Sequence, residues 1–212
     1  MKNKNKKESI IFGLKDLLKK KLNIAAEGNI SVRNHKGFYI SPSAFTPDEL
    51  KETNIAFVSE KGEKIGLNKP SSEWKMHHLI YKNRKEINAI VHCHSIWASC
   101  VSCLRKNIPS FHYMISEFGG DDIKCSRYAI FGSEKLAQNV LLSLKRRKGC
   151  LLANHGQITI SGSLDEALHL AESLEKLSKQ FFLCNLTNNI KFLDKKQMNE
   201  VIDLFSDYKS IR

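Results

Sequence analysis

The stretch Ile87-Asn88-Ala89-Ile90-Val91-His92-Cys93-His94 predicts both the centre of the fold and the start of a reactive site. Its short run of β-branched and apolar residues predicts a buried strand. Side chains two positions apart on a strand lie on the same face, so His92 and His94 converge and Cys93 faces the other way. Two imidazoles that converge at the end of a strand are the beginning of a divalent metal site.

Two further polar groups strengthen the metal hypothesis. His155 lies in the turn Asn154-His155-Gly156, and Glu73 precedes the strand in Pro70-Ser71-Ser72-Glu73-Trp74. The alternative is that one histidine packs in the core while the other is solvated, which we would favour for a histidine alone. The whole set favours a metal site. His77 lies one helical turn after Glu73, but a histidine on a helix is more often a surface or core residue.

Length and composition predict one globular domain, residues 1–212. The apolar and charged fractions are those of a soluble protein, and no stretch is typical of a membrane span. The first eight residues have neither an apolar core nor a cleavage site, so they do not resemble a signal peptide. Together with six cysteines that we expect to remain reduced, these features predict a cytoplasmic protein.

The formal net charge of +12 raises the hypothesis of nucleic-acid binding. Half of this excess lies in residues 1–21, which carry eight lysines and two acidic residues. We predict a basic, disordered tail over residues 1–8, followed by an amphipathic helix. Because no basic stripe alternates with aromatic residues, the charge favours a phosphorylated substrate over a nucleic acid or a membrane.

Two short segments could bind an anion. Ser41-Pro42-Ser43-Ala44-Phe45 is a small-residue loop whose N–H groups and hydroxyls can form a nest, although most such loops are only turns. Ser71 or Ser72 caps the next helix, whose N-terminus attracts phosphate. Capping alone explains these two serines about equally well. A Gly28-Asn29 turn leads into a short alternating strand.

Taken in order, five motifs resemble the class II aldolase/adducin superfamily over residues 8–209. They are Gly28-Asn29-Ile30-Ser31, Ser41-Pro42-Ser43, Ser71-Ser72-Glu73-Trp74, His92-Cys93-His94 and Asn154-His155-Gly156. Within the superfamily, residues 108–120 and 128–132 are similar to the L-fuculose-1-phosphate aldolase branch. The resemblance implies an α/β fold: a three-layer αβα sandwich with a mostly antiparallel central sheet. It also implies a homotetramer with active sites between neighbouring subunits.

The same resemblance assigns roles to individual residues. It implies that His92, His94 and His155 hold one zinc ion per subunit, with Glu73 as the acid/base or as a fourth ligand. Tyr113 would be the second proton donor, acting in a neighbouring subunit's site, and Tyr208 would help to close the site. The residues implied for the substrate phosphate are Gly28, Asn29, Ser43, Ala44, Ser71 and Ser72.

The function implied is zinc-dependent cleavage of a ketose 1-phosphate, of the L-fuculose 1-phosphate kind, to dihydroxyacetone phosphate and a short aldehyde. The alternatives are a sister methylthioribulose-1-phosphate dehydratase, a pentulose-5-phosphate 4-epimerase, or a non-catalytic adducin-like interaction domain. Two positions depart from the family pattern. Glu27 stands where a small residue is usual and adds negative charge beside the phosphate loop, and Ala44 stands where glycine is frequent.

Overall fold

The fold is built on one eight-stranded sheet, seen in a computed structural model that describes residues 5–210, with the backbone alone over residues 206–210. The strands run in the spatial order β4-β3-β2-β1-β5-β8-β7-β6. Every neighbouring pair is antiparallel except β6 and β7, which confirms the mostly antiparallel sheet. The strands are β1 (Asn29–Asn34), β2 (Gly37–Ile40), β3 (Ala56–Ser59), β4 (Lys64–Ile65), β5 (Ala89–Cys93), β6 (Lys124–Ser126), β7 (Gly149–Leu152) and β8 (Gly156–Ser161).

Strand β5 lies in the middle of this sheet, between β1 and β8, and all of its residues are buried. This is the strand predicted from the apolar run. Ile90 packs in one core cluster, whereas Val91 and Cys93 pack in a second cluster on the opposite face. His92 shares the face of Ile90, because side chains alternate along a strand. Cys93 therefore points away from His92, as predicted.

Helices cover both faces of the sheet. The helices α2 and α4 contribute to the core cluster around Ile90, whereas α1 and α5 contribute to the one around Val91. A third cluster lies under α3, α5 and α6. The helices are α1 (Lys6–Lys19), α2 (Trp74–Asn83), α3 (Ile96–Cys103), α4 (Glu134–Ser143), α5 (Leu164–Asn185) and α6 (Lys195–Ser210). Among residues 5–210, no helix has the length and apolar character needed to cross a bilayer.

The first helix begins earlier than the sequence predicts. The Asn5 side chain accepts a hydrogen bond from the N–H of Lys7, and Glu8 lies in the first turn, where a negative charge stabilises the helix dipole. The prediction of a disordered tail over residues 1–8 is therefore wrong for residues 6–8, which are helical. Lysine is a good helix former, so a lysine-rich start does not by itself indicate disorder. Residues 1–4 lie outside the described chain.

Candidate active site

The first two histidines of the site lie at the end of β5. His92 is fully buried, and its Nδ1 is 2.7 Å from the carbonyl oxygen of Gln157 on the neighbouring strand β8. Because a carbonyl only accepts, Nδ1 carries the proton and Nε2 is left to face the site. His94 lies two residues further on, just beyond the end of β5, and its Nε2 is 3.1 Å from Nε2 of His92. The side chain of Asn23, which sequence reasoning missed, accepts a hydrogen bond from the backbone N–H of His94 at 3.0 Å.

His155 is brought to the same place by the turn between β7 and β8. Asn154 has a φ of +54°, a left-handed conformation that asparagine tolerates better than most residues. Gly156 approaches the end of β5 so closely that a Cβ there would lie 2.5 Å from the carbonyl oxygen of Cys93. The sequence Asn-His-Gly is thus explained by position: a residue in the left-handed conformation, a candidate metal ligand, and a residue without a side chain.

Glu73 completes the cluster from the N-terminal end of α2. Its carboxylate is buried, with Oε2 2.9 Å from Nε2 of His92 and 3.1 Å from Nδ2 of Asn29. The second oxygen, Oε1, is 3.5 Å from Nε2 of His155 and has no hydrogen-bond partner among the described residues. A buried carboxylate oxygen without a partner is costly unless a cation or a substrate completes its environment.

The four side chains converge on one point. The three imidazole ring centres are 4.8–4.9 Å apart, and one ligand atom from each of Glu73, His92, His94 and His155 lies within 4.8 Å of all the others. Three imidazole nitrogens and a carboxylate are a donor set that suits a divalent first-row metal. The residues therefore fit a metal ion, as the sequence predicts.

The electrostatics of the cluster agree with this assignment. Burial, together with the nearby His92, lowers the pKa of His94 to about 3 and that of His155 to about 4. Burial would raise the pKa of Glu73, but His92 and His155 outweigh it and hold the pKa of Glu73 well below its usual value. Near neutral pH the site thus offers an ionised carboxylate at Glu73 and neutral imidazoles at His94 and His155, whereas Glu73 raises the pKa of His92 against the effect of burial. A metal requires an ionised carboxylate and neutral imidazoles, so its binding would displace any proton that Glu73 holds on Nε2 of His92.

A cavity of about 380 Å³ opens beside the cluster and joins it to the predicted phosphate-binding segments. Glu73, His94 and His155 line one side of it. Five of the six residues predicted to bind phosphate also line it, and they are Gly28, Asn29, Ser43, Ser71 and Ser72. The sixth, Ala44, is not among the lining residues. Its φ of +66° shows that this position does require the left-handed conformation that favours glycine.

The serines of the cavity hold one another in place. The Ser43 hydroxyl accepts a hydrogen bond from the N–H of Ser72 at 3.0 Å and donates one to the carbonyl oxygen of Pro70 at 3.2 Å. The Ser71 hydroxyl accepts from the N–H of Glu73 at 3.3 Å, at the start of α2. The N-cap residue of α2 is Glu73 and its side chain makes no capping bond, so the prediction that Ser71 or Ser72 caps this helix is wrong, whereas both serines line the cavity. Their role toward phosphate stays a prediction.

Two aromatic residues of the cavity had no role predicted from the sequence. Tyr128 and Phe131 line it and are largely exposed. Both lie in the segment 128–132, which carried part of the family resemblance. Nearby Gly132 has a φ of +71°, and a Cβ on it would lie 2.9 Å from the carbonyl oxygen of Ser72. In the sequence, the only sign of this part of the cavity is a pair of aromatic residues shortly before a glycine, and that pattern alone does not indicate a binding site.

Two other residues that the sequence analysis weighed, Tyr113 and His77, lie apart from the cluster. Tyr113 begins a 3₁₀ helix, Tyr113–Phe118, is half exposed and is not among the residues that line the cavity. The Tyr208 side chain lies outside the part that the structure describes. His77 is fully buried, but its ring nitrogens contact Ser31 and Asn29 and not the metal ligands.

Known proteins are similar to this chain in both sequence and fold. The family model of the class II aldolase and adducin N-terminal domain matches residues 9–182. The chain belongs to the class II aldolase and adducin family. This result confirms the predicted family and agrees with the predicted enzyme class, a metal-dependent aldehyde-lyase.

Individual members of this family are similar over nearly the whole chain. An L-fuculose phosphate aldolase of Haemophilus influenzae is 40% identical over 95% of this chain and 94% of its own length. A 5-methylthioribulose-1-phosphate/5-deoxyribulose-1-phosphate aldolase of Rhodospirillum rubrum is 38% identical over 88% of this chain and 85% of its own. A solved structure of L-fuculose 1-phosphate aldolase superimposes with a TM-score of 0.92, at 32% identity, over 97% of this chain and 98% of that one.

Proposed function

We propose that this class II aldolase uses zinc to cleave a ketose 1-phosphate into dihydroxyacetone phosphate and a short aldehyde. The observation that carries the proposal is that one cavity contains both a three-histidine, one-carboxylate cluster and a wall of small polar residues at a helix N-terminus. The first suits a metal that polarises a carbonyl, and the second suits a phosphate. A ketose 1-phosphate carries both groups a few bonds apart.

The metal would be held by His92, His94 and His155, with Glu73 beside it. When bound, it would supply the Lewis acidity that lets a carbonyl accept the electron pair of the breaking carbon–carbon bond. Zinc is the metal we propose, because neutral imidazoles in a site of four or fewer protein ligands are typical of catalytic zinc.

Glu73 would move a proton at the carbon beside the carbonyl. Its pKa is held low, so in the condensation direction the ionised carboxylate would accept that proton. In the cleavage direction the carboxylate would first take up a proton from solvent, replacing the one that the substrate hydroxyl loses, and deliver it to the carbon. Oε2 is held by the amide of Asn29, whereas Oε1 faces Nε2 of His155 at 3.5 Å and has no hydrogen-bond partner among the described residues, which leaves it available to a substrate. Fixing the phosphate at the serine wall would keep the reacting carbon at a constant distance from Oε1.

Tyr113 would complete the site of a neighbouring copy in a homotetramer. Its phenol suits the hydroxyl group that loses a proton as the bond breaks. Support for this role comes from its exposure and from its absence among the lining residues of its own cavity. A mixing experiment tests it: co-expressed Glu73→Gln and Tyr113→Phe chains should form hybrid oligomers more active than either parent. Hybrids no better than the parents would contradict a shared site.

The substrate is proposed as a class, because relatives of similar identity are named for different sugars. Tyr128 and Phe131 lie at the exposed side of the cavity, where the part of the sugar that becomes the aldehyde would contact them. A panel of L-fuculose 1-phosphate, 5-deoxyribulose 1-phosphate and 5-methylthioribulose 1-phosphate, with dihydroxyacetone phosphate release as the readout, would identify it. A dehydratase would consume a panel member without releasing that product, and a pentulose-5-phosphate 4-epimerase would consume no member of the panel.

Three measurements decide the proposal as a whole. The purified protein should contain close to one zinc ion per chain, and a chelator should abolish turnover that added zinc restores. Glu73→Gln should lose turnover by about 10²–10⁴-fold, whereas Glu134→Gln, at an exposed carboxylate on α4, should retain it. A chelator-insensitive enzyme, or an active Glu73→Gln variant, would show that the proposed chemistry is wrong.

A further inference from the structure

A buried row of polar side chains leads from Glu73 and Asn29, which line the cavity, into the core. Glu73, His77 and Tyr81 are spaced four residues apart and therefore lie on one face of the α2 region. Asn29 and Ser31, two apart on β1, face them. Asn29, Ser31, His77 and Tyr81 are each at most 5% exposed. Any hydrogen bond lost in this row would leave a buried group without a partner.

The distances give a continuous chain of hydrogen bonds. Nδ2 of Asn29 is 3.1 Å from Oε2 of Glu73, and Oδ1 of Asn29 is 2.6 Å from Nε2 of His77. At the other side of that ring, Nδ1 is 2.7 Å from the Ser31 hydroxyl. The Tyr81 hydroxyl is 2.9 Å from the Ser31 hydroxyl.

The chemistry of each group fixes the direction of the chain. An ionised carboxylate only accepts, so Asn29 donates through Nδ2 and must accept through Oδ1. His77 must then donate through Nε2. Burial, with the charge of His92, lowers the pKa of His77 to about 3, so its ring is neutral and has a single N–H. Nδ1 is consequently an acceptor.

The remaining protons follow from the neutral ring of His77. The Ser31 hydroxyl has one proton, which it must donate to Nδ1 of His77. Ser31 then accepts from the Tyr81 hydroxyl, whose other neighbour, the carbonyl oxygen of Asn88, is at the long distance of 3.5 Å. Every hydrogen bond in the series is therefore donated in the same direction, from Tyr81 toward Glu73.

We propose that His77 is a positioning residue, which locks the Asn29 amide so that it always donates to Oε2 of Glu73 and leaves Oε1 as the proton-transferring oxygen. A reversed amide would place two acceptor oxygens, Oδ1 and Oε2, against each other and turn an N–H toward the N–H of His77. The inference rests on the proposed role of Glu73 in proton transfer. It adds a histidine that touches neither substrate nor metal.

The first test measures the tautomer of His77 and does not depend on any activity. In the protein with ¹⁵N-labelled histidine, long-range ¹H–¹⁵N spectra distinguish a ring protonated at Nε2 from one protonated at Nδ1. The His77 signals are identified by their absence from the His77→Gln variant. We expect a neutral ring with the proton on Nε2. A proton on Nδ1 would overturn the proposal, even if the enzyme proves to be an aldolase.

The second test uses variants that keep or remove the two bonds of His77. His77→Leu keeps bulk but has no polar atom, and we expect kcat to fall by about 10–100-fold, with KM and zinc content within about 3-fold of wild type. His77→Gln has one donor and one acceptor and should recover most of that loss. His78→Leu is the matched control, because His78 bonds the carbonyl oxygen of Glu60 and lies outside the chain of hydrogen bonds.

The outcomes separate positioning from a merely structural role. If glutamine and leucine lower kcat equally, or if leucine raises KM and leaves kcat unchanged, His77 does not position Glu73. Should His77→Leu fail to fold, the tautomer and the kinetics of His77→Gln still decide. If wild type shows no lyase activity while the Nε2 tautomer is found, the proposed function fails and the hydrogen-bond direction stands.

Discussion

The two sides of the cavity differ in how completely the protein satisfies its own polar atoms. On the metal side, Nε2 of His92 and Nε2 of His94 lie 3.1 Å apart, and Oε1 of Glu73 has no hydrogen-bond partner in the described part of the chain. On the serine side, the Ser43 hydroxyl already bonds Ser72 and Pro70. A bound cation would therefore complete the environment of the metal side, whereas the Ser43 hydroxyl has its partners before any substrate arrives.

This difference predicts how substitutions on the two sides should behave. A change on the metal side should remove the cofactor and with it all chemistry. A change on the serine side should weaken binding and leave the chemical step nearly intact, because a phosphate there exchanges existing hydrogen bonds for new ones.

The largest effect is expected for His155→Ala, which removes a ligand that the chain cannot replace. We expect zinc content to fall at least about 10-fold and turnover by more than about 10³-fold. Metal analysis and dihydroxyacetone phosphate release measure the two effects. His169→Ala, at an exposed position on α5, is the matched control. Normal zinc content in His155→Ala would remove His155 from the metal site.

The second prediction concerns Gly28, where the two sides meet. Gly28 has a φ of +67°, and a Cβ there would lie 2.5 Å from the carbonyl oxygen of His92 and from Nδ2 of Asn23. Gly28→Ala should lower the free energy of unfolding by about 2–4 kcal/mol, through backbone strain and overpacking. Gly66→Ala is the control, since Gly66 has a φ of +93° but no atom within 4 Å of its Cβ position. If urea unfolding shows that Gly28→Ala and Gly66→Ala lose the same free energy of unfolding, contact with the site plays no part in the destabilisation.

Much of this site follows from the sequence, because its residues are placed by short-range rules. The alternation of a strand puts His92 on the side of α2 and Cys93 on the other. Local patterns, Asn-His-Gly and Ser-Ser-Glu, likewise place His155 in a turn and Glu73 at a helix start. Family resemblance then supplied what local rules do not: which distant motifs meet, and with which roles.

The features that the sequence did not predict depend on long-range contacts. Asn23 and Gln157 hold the histidines through atoms that no motif identifies, one of them a backbone carbonyl. The cavity wall at Tyr128 and Phe131 depends on the path of a loop. His77 could be weighed as a ligand or a core residue, but only the partners on β1 show that it belongs to a directed hydrogen-bond chain.

The third prediction is a modest effect on the serine side. Ser43→Ala removes the hydroxyl that links the two loops of the cavity, and we expect KM to rise about 10-fold, with kcat within about 3-fold of wild type. Ser9→Ala, which removes a hydroxyl on α1 bonded only to the carbonyl oxygen of Lys6, should change neither constant. A fall in kcat with KM unchanged would mean that the serine side takes part in the chemical step.

The smallest effect is expected at Glu27, the acidic residue that departs from the family pattern. Glu27 lines the cavity next to Gly28, and one carboxylate oxygen is 3.9 Å from Nδ1 of His94. A negative charge there repels the substrate phosphate, so Glu27→Gln should lower KM by about 2–5-fold at low salt. Because the side chain is 45% exposed, the difference should shrink as salt screens the charge. A KM that rises in Glu27→Gln at every salt concentration would instead give the carboxylate a favourable role, in holding His94 or a hydroxyl of the sugar.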